Sequence, residues 1–499
     1  MSVTVVHPEY EARQEEWRRI AAVLDGRDAV IAAGEDFVPM LGGQTPSQYQ
    51  SFLMRGLLFN ATQRTRKGIV GLVFSQDPQV EVPASIEKFL DDITLTDVEL
   101  NEFAKQVFNE AIAYNWGCIL VDVAPPEEVV LPTDARPYLT FYSAFNVRWW
   151  KQERIAGKMR TTAVILRESV EEPLPGQDYG SMIVEQYRVL KLEKIADDYG
   201  RIHYVYRQEE WREEDDPNDP LKKERKWRKV RDIEPKRKNQ PLDFIPFTFI
   251  TTDGTEAHIA KSDLLDLVDV NLDHWRLSVD LRHGLHFTAL PTPCASAIPD
   301  GLDLKIGSET AWTSTDKDFK AFYLEFSGAG ISAIQDAIER DEHLMSLLGS
   351  RLLETQKRAS ETAEAMIIRQ ASEDSVVMSA AESIGKGLEK ALWHAAFWAG
   401  DTNPKISVSL TSALQDLSLS TQDLVVIMKS YQAGLISEQS MLEAYIRKQY
   451  IRGRTWEEEA ALPKIEVPIP VGNDGTSSGT GNSKPIVPMD RNTVSLPPA

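Results

Sequence analysis

The order of long helices between Phe244 and about Leu410 restricts the fold of this 499-residue chain more than any single motif does. An apolar strand at Ile245-Pro246-Phe247 leads into a helix expected to start near Lys261 or Ser262. Ser262 is a natural N-cap, because its hydroxyl can accept from the free amides of a first turn, and Asp263 and Asp266 follow where negative charge suits the helix dipole. Leu264, Val268, Leu272, Trp275 and Val279 recur at spacings of four, four, three and four, which keeps them on one side of a helix. Asp266, Asp269, Asp273 and Asp280 recur at three, four and seven, so at roughly 100° per residue they fall within about 60° of one another. One face is apolar and another is a carboxylate stripe. Alone, such a stripe is the solvated side of an amphipathic helix; the elements that follow give it a second meaning.

Leu290, Pro291, Thr292 and Pro293 cannot extend that helix, because proline lacks the N–H and disfavours the α conformation of the residue before it. Short strands are expected around Leu302 to Ile306 and Phe319 to Phe326, with a turn at Pro299-Asp300-Gly301. A second helix is expected from Ile331 to about Leu348, burying Ile331, Ile334, Ile338 and Met345 and turning Asp336, Glu339, Arg340 and Asp341 elsewhere. A weakly patterned stretch from Ser350 to Ser360 holds Arg351, Lys357 and Arg358. Glu361 to Ala399 then reads as one helix spanning about 60 Å, with Gly385 and Gly387 inviting a kink.

The opening module, Tyr10 to about Pro125, reads mainly helical: Tyr10 to Leu24, Gln48 to Thr65 capped by Ser47, and Val98 to Tyr114. Tyr49, Phe52, Leu53, Leu57 and Phe59 supply the apolar side of the second helix. Ile119 to Val123 is a strand, followed by Tyr138 to Tyr142, Arg160 to Ser169, Met182 to Leu192 and Ile202 to Gln208, alternating well enough for a largely antiparallel sheet. Glu209 to Asp219 is acidic and Lys222 to Lys238 basic. That pair is either a patch for nucleic acid or a partner, or a solvated hairpin whose charge blocks offset each other; the interleaving favours the hairpin. Thr421 to Tyr431 and Ser437 to Gln449 are short helices around Gly434, with Ser420 and Asp423 spaced as a capping-box variant. From Pro463 the Pro-, Gly-, Ser- and Asn-rich tail carries no fold signal.

This order of elements resembles the tailed-phage portal proteins. The N-terminal third is similar to one portal branch through Tyr10, Trp17, Gly34, Phe37, Pro39 and Leu41. Tyr49, Arg55, Phe59-Asn60, Arg64-Thr65, Gly68, Gly71, Val73-Phe74 and Pro78 continue the pattern, as do Phe89, Asp91, Phe103, Gly117 and Val121-Asp122. The likeness extends over residues 8–460. It implies an α+β, predominantly helical portal fold. Residues 1–125 would be the helical part of a wing, 126–260 its β-rich part, 261–287 a first stem helix, 288–328 a clip and 329–348 a second stem helix. Residues 349–362 would form a tunnel loop, 363–400 a long kinked helix, 401–462 a helical crown and 463–499 a disordered tail.

By family, such a protein forms a ring, usually of twelve copies, at one capsid vertex, through which double-stranded DNA is packaged and ejected. Its implied partners are the terminase large subunit, major capsid and scaffolding proteins, and head-tail connector or adaptor proteins. Its setting is the virion, with assembly in the host cytoplasm. The formal net charge of −21 fits a conduit better than a tight DNA binder, which would place Lys and Arg at phosphates. An acidic bore lets a polyanion slide by repulsion. On this reading Asp266, Asp269, Asp273 and Asp280 face the channel or the neighbouring subunit, and Arg351, Lys357 and Arg358 contact DNA from the tunnel loop.

No phosphate loop, HExxH or CxxC motif occurs, so neither catalytic residues nor a cofactor are expected. Two isolated cysteines, Cys118 and Cys294, suit neither a disulfide framework nor a zinc site, and His283 and His286 lack a matching ligand set. No apolar run approaches the length of a membrane span, and no secretory signal is expected. The alternative is a virion-associated enzyme processing DNA or carbohydrate, with Trp149, Trp150 and nearby carboxylates as its site, although aromatic pairs at a strand end more often serve core or interface.

Overall fold

The computed structural model describes residues 2–124, 136–174, 176, 179–196, 199–215, 225–254, 256–289, 292–296, 298, 317–324, 329–353, 376–411, 421–447, 451 and 456–462. They fall into two units, Met1–Ser420 and Thr421–Ala499.

The first unit opens with α1 (Pro8–Asp25) and α2 (Arg27–Ala33). Where one helix was expected from Gln48 to Thr65, there are two, α3 (Pro46–Leu53) and α4 (Ala61–Val73). Thr45 and Gln48 form a capping box that starts α3, and the Asn60 side chain accepts from the Gln63 amide to start α4. Between them Gly56 lies against Trp275, where an added Cβ would sit 2.6 Å from a ring carbon, so only glycine fits there. α5 (Leu100–Tyr114) ends on Asn115 in the left-handed region, φ 48°.

The strands, in chain order, are β1 (Gln79–Glu81), β2 (Gly117–Val123), β3 (Pro137–Ser143), β4 (Val147–Ile155), β5 (Lys158–Pro173), β6 (Ser181–Ala196), β7 (Ile202–Asp215) and β8 (Arg225–Ile233). A two-residue hairpin follows, β9 (Lys236–Arg237) and β10 (Gln240–Pro241), and then β11 (Phe247–Ile250). β4 to β8 form a five-stranded antiparallel meander, and β11, β2 and β3 a three-stranded antiparallel sheet in that order. β2 divides two cores. Cys118 and Leu120 point into one, lined by α1, α3 and the meander; Ile119 and Val121 point into the other, lined by α4 and α5.

The chain continues through α6 (Leu265–Ala289), β12 (Thr292–Ser296), β13 (Lys320–Leu324), α7 (Ala329–Leu353), α8 (Val376–Ala399) and β14 (Ser407–Ser409), which pairs with β1. α8 is unbroken at the two glycines expected to kink it. A Cβ at Gly385 would sit 2.9 Å from the Val408 carbonyl oxygen, and one at Gly387 would run into Ile250, so both glycines serve close approach of the helix to β14 and β11. Residues 361–375, the expected start of that helix, lie outside the described residues, as do Leu302 to Ile306 and the Pro299-Asp300-Gly301 turn.

The predominantly helical portal fold expected from the sequence is corrected to a mixed α+β fold: the described residues are 46% helical and 28% strand, with the five-stranded antiparallel sheet a major element. β4 went unread, β8 was read only as the basic arm of a charged hairpin, and β5, β6 and β7 run past their expected ends. The reason is charge. Ion pairs such as Glu172 of β5 with Arg212 of β7 at 2.5 Å and Glu193 of β6 with Arg207 of β7 at 2.8 Å hold the overrunning ends, where apolar alternation would have announced them. The acidic and basic blocks are the two arms of the β7–β8 hairpin, with Glu213 opposite Trp227 and Asp215 opposite Arg225.

The second unit holds α9 (Thr421–Gln432), α10 (Glu438–Arg447) and α11 (Trp456–Ala460), of which α11 was not expected. Gly434, φ 74°, follows α9, and the Ser437 hydroxyl accepts from the Ser440 amide at 3.1 Å to cap α10. Ser420 and the tail from Pro463 lie outside the described residues.

Candidate functional site

α6 and α7 form an antiparallel pair, in register such that His274 faces Glu342 and Gly284 faces Ile331. Their far ends lead to β12 and β13, which pair from Thr292↔Leu324 to Ser296↔Lys320 and which no other described strand joins. Phe322 and Tyr323, adjacent on β13 and so on opposite faces, are both exposed among the described residues.

Leu264, Val268, Leu272, Trp275 and Val279 are all buried, and the α6 apolar stripe packs on the N-terminal helices. The helix itself begins at Leu265, later than Ser262, because Ser262 donates its hydroxyl to the Ala113 carbonyl at 2.7 Å and caps only a tight turn, accepting from Leu264 N at 3.2 Å. Asn115 reinforces that joint by donating to the Lys261 carbonyl and accepting from the Thr252 amide. Sequence reasoning missed a second anchoring set. Asn271 Oδ1 accepts from the Thr62 amide, Asn271 Nδ2 donates to the Phe59 carbonyl, and Ser278 Oγ accepts from the Leu57 amide. Asn271, His274 and Ser278 recur at three and four, a polar row beside the apolar one, and that spacing was the available signal.

Asp266, Asp269, Asp273 and Asp280 are all exposed on α6. They are not a bare carboxylate stripe: Lys261 lies 2.6 Å from Asp266, Arg19 of α1 pairs with Asp269, and Arg276 lies 3.8 Å from Asp273. Exposed pairs of this kind contribute little to stability, about 0–1 kcal/mol each, and are weakened by salt. Arg351 falls in the last turn of α7, which runs on through Gly349 to Leu353; Lys357 and Arg358 lie outside the described residues. Gly349 lets α7 pass close to α4, since a Cβ there would meet Thr65 Oγ1 at 2.9 Å.

On α7, Met345 is buried and Ile331, Ile334 and Ile338 half-buried, as their spacing implies. Asp341 corrects the expectation that it faces away: it is buried against α6. His283 is half-buried, with Arg55 Nη1 2.9 Å from its Nδ1 and the Phe52 ring edge-on to it, while His286 is exposed.

A second charged cluster joins the two sheets. Arg188 on β6 donates to Glu168 on β5 at 2.7 Å and to Gln208 on β7 at 3.0 Å, and lies 4.0 Å from Asp122 on β2. Gln208 Nε2 donates to Asp122 at 2.9 Å, and Tyr142 donates to Glu168 at 2.6 Å. Burial alone would raise the Glu168 carboxyl, but Arg188, with Tyr142 and Gln186 donating to it, outweighs that and holds it below its usual range; for Asp122 burial wins and raises the carboxyl. Beside this cluster opens a cavity of about 740 Å³ walled by Val170, Arg212, Arg231, Glu234, Lys236 and Trp398. Its cations are paired, Arg212 with Glu172 and Lys236 with Glu234, so it is not a phosphate cradle.

Of the two tryptophans of the alternative enzymatic site, Trp149 is half-buried and Trp150 serves the core. Trp150 is buried, stacked on His7 at 3.7 Å between ring centroids and packed on Trp116, with its N–H donated to the Ala257 carbonyl. Among the described residues no group of three or more His, Cys, Asp or Glu side chains could hold a metal ion, and no helix is long and apolar enough to cross a membrane.

A family model described as a domain of unknown function, DUF4055, matches residues 263–399, which contain α6, α7 and α8. No curated protein matches. Among solved structures, the chain is similar to one described as the virion of a native gene transfer agent (GTA) particle, at 13% identity and a TM-score of 0.36, with 85% of this chain and 99% of that chain covered. It is also similar to one described as the neck of an empty GTA particle computed with C6 symmetry, at 13% identity and a TM-score of 0.33, with 85% of this chain and 98% of that chain covered. Likeness at this level carries no argument about what this chain does.

Proposed function

We infer that this chain is the subunit of a ring at one vertex of a tailed-phage-like capsid, a portal through which double-stranded DNA is packaged and ejected. One observation supports the reading most: an antiparallel pair of long helices, α6 and α7, that buries one side in its own subunit, presents carboxylates on the other, and leads to a two-stranded hairpin that no other described strand joins and on which Phe322 and Tyr323 are exposed. A lone two-stranded hairpin is marginally stable in water, so such a tip calls for neighbours. In a ring, subunits associate head to tail through heterologous interfaces that close by rotation.

On this reading 261–287 and 329–348 are stem helices, 288–328 the clip, 349–362 the tunnel loop, 363–400 the long helix and 401–462 the crown. Asp266, Asp269, Asp273 and Asp280 face the bore or the next subunit. Arg351, Lys357 and Arg358 supply the local contacts to DNA, and no catalytic residue is assigned. The terminase large subunit and the connector proteins dock on the ring, which sits among capsid and scaffolding proteins at the portal vertex after assembly in the host cytoplasm. A packaging assay tests the reading. Replacing Lys357→Ala and Arg358→Ala together should lower the amount of DNA packaged, and unchanged packaging would remove the tunnel-loop contact from the account.

A further inference from the structure

The solvent side of α4 carries cations that no neighbouring acid answers. Its exposed positions are Arg64, Lys67, Gly68 and Gly71, whose spacings of three, one and three place them on one side of the helix. The other side is occupied: Thr62 meets Asn271 of α6, Thr65 meets α7 at Gly349, and Ile69 and Val73 share a core with α5.

Along one flank of that exposed side runs a groove of about 730 Å³, walled by Lys67, Gly71 and Phe74 of α4 and by Lys105, Gln106 and Asn109 of α5. The two helices run antiparallel, because Asn101 at the start of α5 donates to Asp77 beyond the end of α4 at 2.6 Å, while Glu110 near the end of α5 lies within reach of the Arg66 charge. Charge is therefore divided along the groove. Glu99 and Glu102 stand at the end near Phe74; Lys67, Gln106 and Asn109 stand at the other, with Lys105 between. Among the described residues Arg64, Lys67 and Lys105 make no ion pair, and Arg64 lies over the Phe59 ring at 5.0 Å. In a chain with a formal net charge of −21, such cations beside one groove depart from the average surface and set the sign of what its end attracts. The end of α7 is close by: Gly349 lies on Thr65, the residue after Arg64, and Arg351 falls in the last turn of α7.

We propose that Arg64 and Lys67 of α4, with Lys105, Gln106 and Asn109 of α5, form a contact surface for the phosphate backbone of double-stranded DNA beside the end of α7. The choice of DNA as the occupant rests on the portal reading; the groove and its unanswered cations do not. The residue types suit a backbone more than a base edge, because Lys and Arg meet phosphate oxygens with full charge and Gln and Asn amides donate to them from the other wall. At Gly71 an added Cβ would meet nothing within 4 Å, so the groove stays open beside Lys67 for an incoming strand. Glu99 and Glu102 confine the contact to a short length of that strand, which suits a conduit that must let go of DNA as it moves.

Binding of a short double-stranded DNA of mixed sequence to the purified full chain, measured between about 50 and 200 mM salt, tests the surface. The unsubstituted chain should bind, with the logarithm of its affinity falling linearly with the logarithm of salt. Replacing Arg64→Ala, Lys67→Ala and Lys105→Ala together should reduce that slope by about two to three and weaken binding at least about tenfold at the low-salt end, equally for DNA of any sequence. A matched variant, Arg154→Ala, Lys158→Ala and Lys405→Ala, removes the same charge from exposed positions elsewhere and should lower the slope by less than about one. Should the first variant fail to fold, Lys67→Gln alone should lower the slope by about one. No binding by the unsubstituted chain, a slope that survives the substitutions in the groove, or an equal loss in the matched variant would each overturn the surface. Light scattering of the same samples separates this outcome from the portal reading. A ring that binds DNA with an unchanged slope in the groove variants keeps that reading and removes the surface; a loss of slope in a chain that forms no ring keeps the surface and removes the reading.

Discussion

The meander sheet and the α6–α7 pair are both rich in charge, and they use it in opposite ways. In the sheet, charge lies inside: Arg188 is shared by Glu168, Gln208 and Asp122, and every one of those groups depends on it to stay below the surface. On α6, charge lies outside, in carboxylates whose partners are single and exposed. The lesson is that burial, more than charge count, decides whether an ionic group holds the fold together or is left over for work at a surface.

Removing the shared guanidinium should do the most damage. Arg188→Leu would strand Glu168 and Asp122 with no cation and cost about 3–5 kcal/mol in chemical denaturation. Arg19→Ala, which frees exposed Asp269, should cost no more than about 1 kcal/mol. Similar losses for the two variants would erase the distinction between the regions.

The buried histidines sharpen the same contrast. Among the described residues His394 of α8, like His274, has no hydrogen-bond partner for either nitrogen, and it lies against Phe244 and Trp393. Burial, with Lys390 adding a like charge, pushes its pKa down to about 3. A base depressed in the folded state contributes stability that is present above its unfolded value, about 6.5, and is lost as pH falls toward 3. Stability should therefore fall by about 1 kcal/mol per pH unit below pH 6, and His394→Phe should flatten that slope. An unchanged slope would mean that the acid sensitivity comes from elsewhere.

The α8 glycines offer a smaller effect with a decisive sign. If Gly385 serves close approach to the Val408 carbonyl, Gly385→Ala should destabilise by about 1–3 kcal/mol. If it served only to kink the helix, alanine would stabilise by about 1 kcal/mol. Least affected should be the protein with Asp266, Asp269, Asp273 and Asp280 all changed to Asn, whose denaturation free energy should move by no more than about 1 kcal/mol while DNA packaging changes. A larger loss of stability would make the stripe structural.

Much of this was legible in the residues. The α6 stripe from Leu264 to Val279 and the α7 positions Ile331 to Met345 carry a helical period strong enough to assign their buried side. What stayed hidden has physical causes. The need for glycine at Gly56 comes from Trp275, more than two hundred residues away, packing against it. Strand β4 and the far ends of β5, β6 and β7 are written in charge, and their pairing depends on partners that a linear reading does not see. Asp341 looked like a surface acid because its burial comes from α6, and Gly385 looked like a breaker because β14 was unread. At the stem, spacing located the four carboxylates, but not the Lys261, Arg19 and Arg276 side chains that moderate them.

The account stands or falls on what α6 and α7 line. Electron microscopy of the purified, assembled protein should show a ring of about twelve copies around an axial opening, with Asp266, Asp269, Asp273 and Asp280 turned toward that opening or the adjacent copy. Monomers with no central hole, or a ring with these carboxylates on its outer wall, would contradict it.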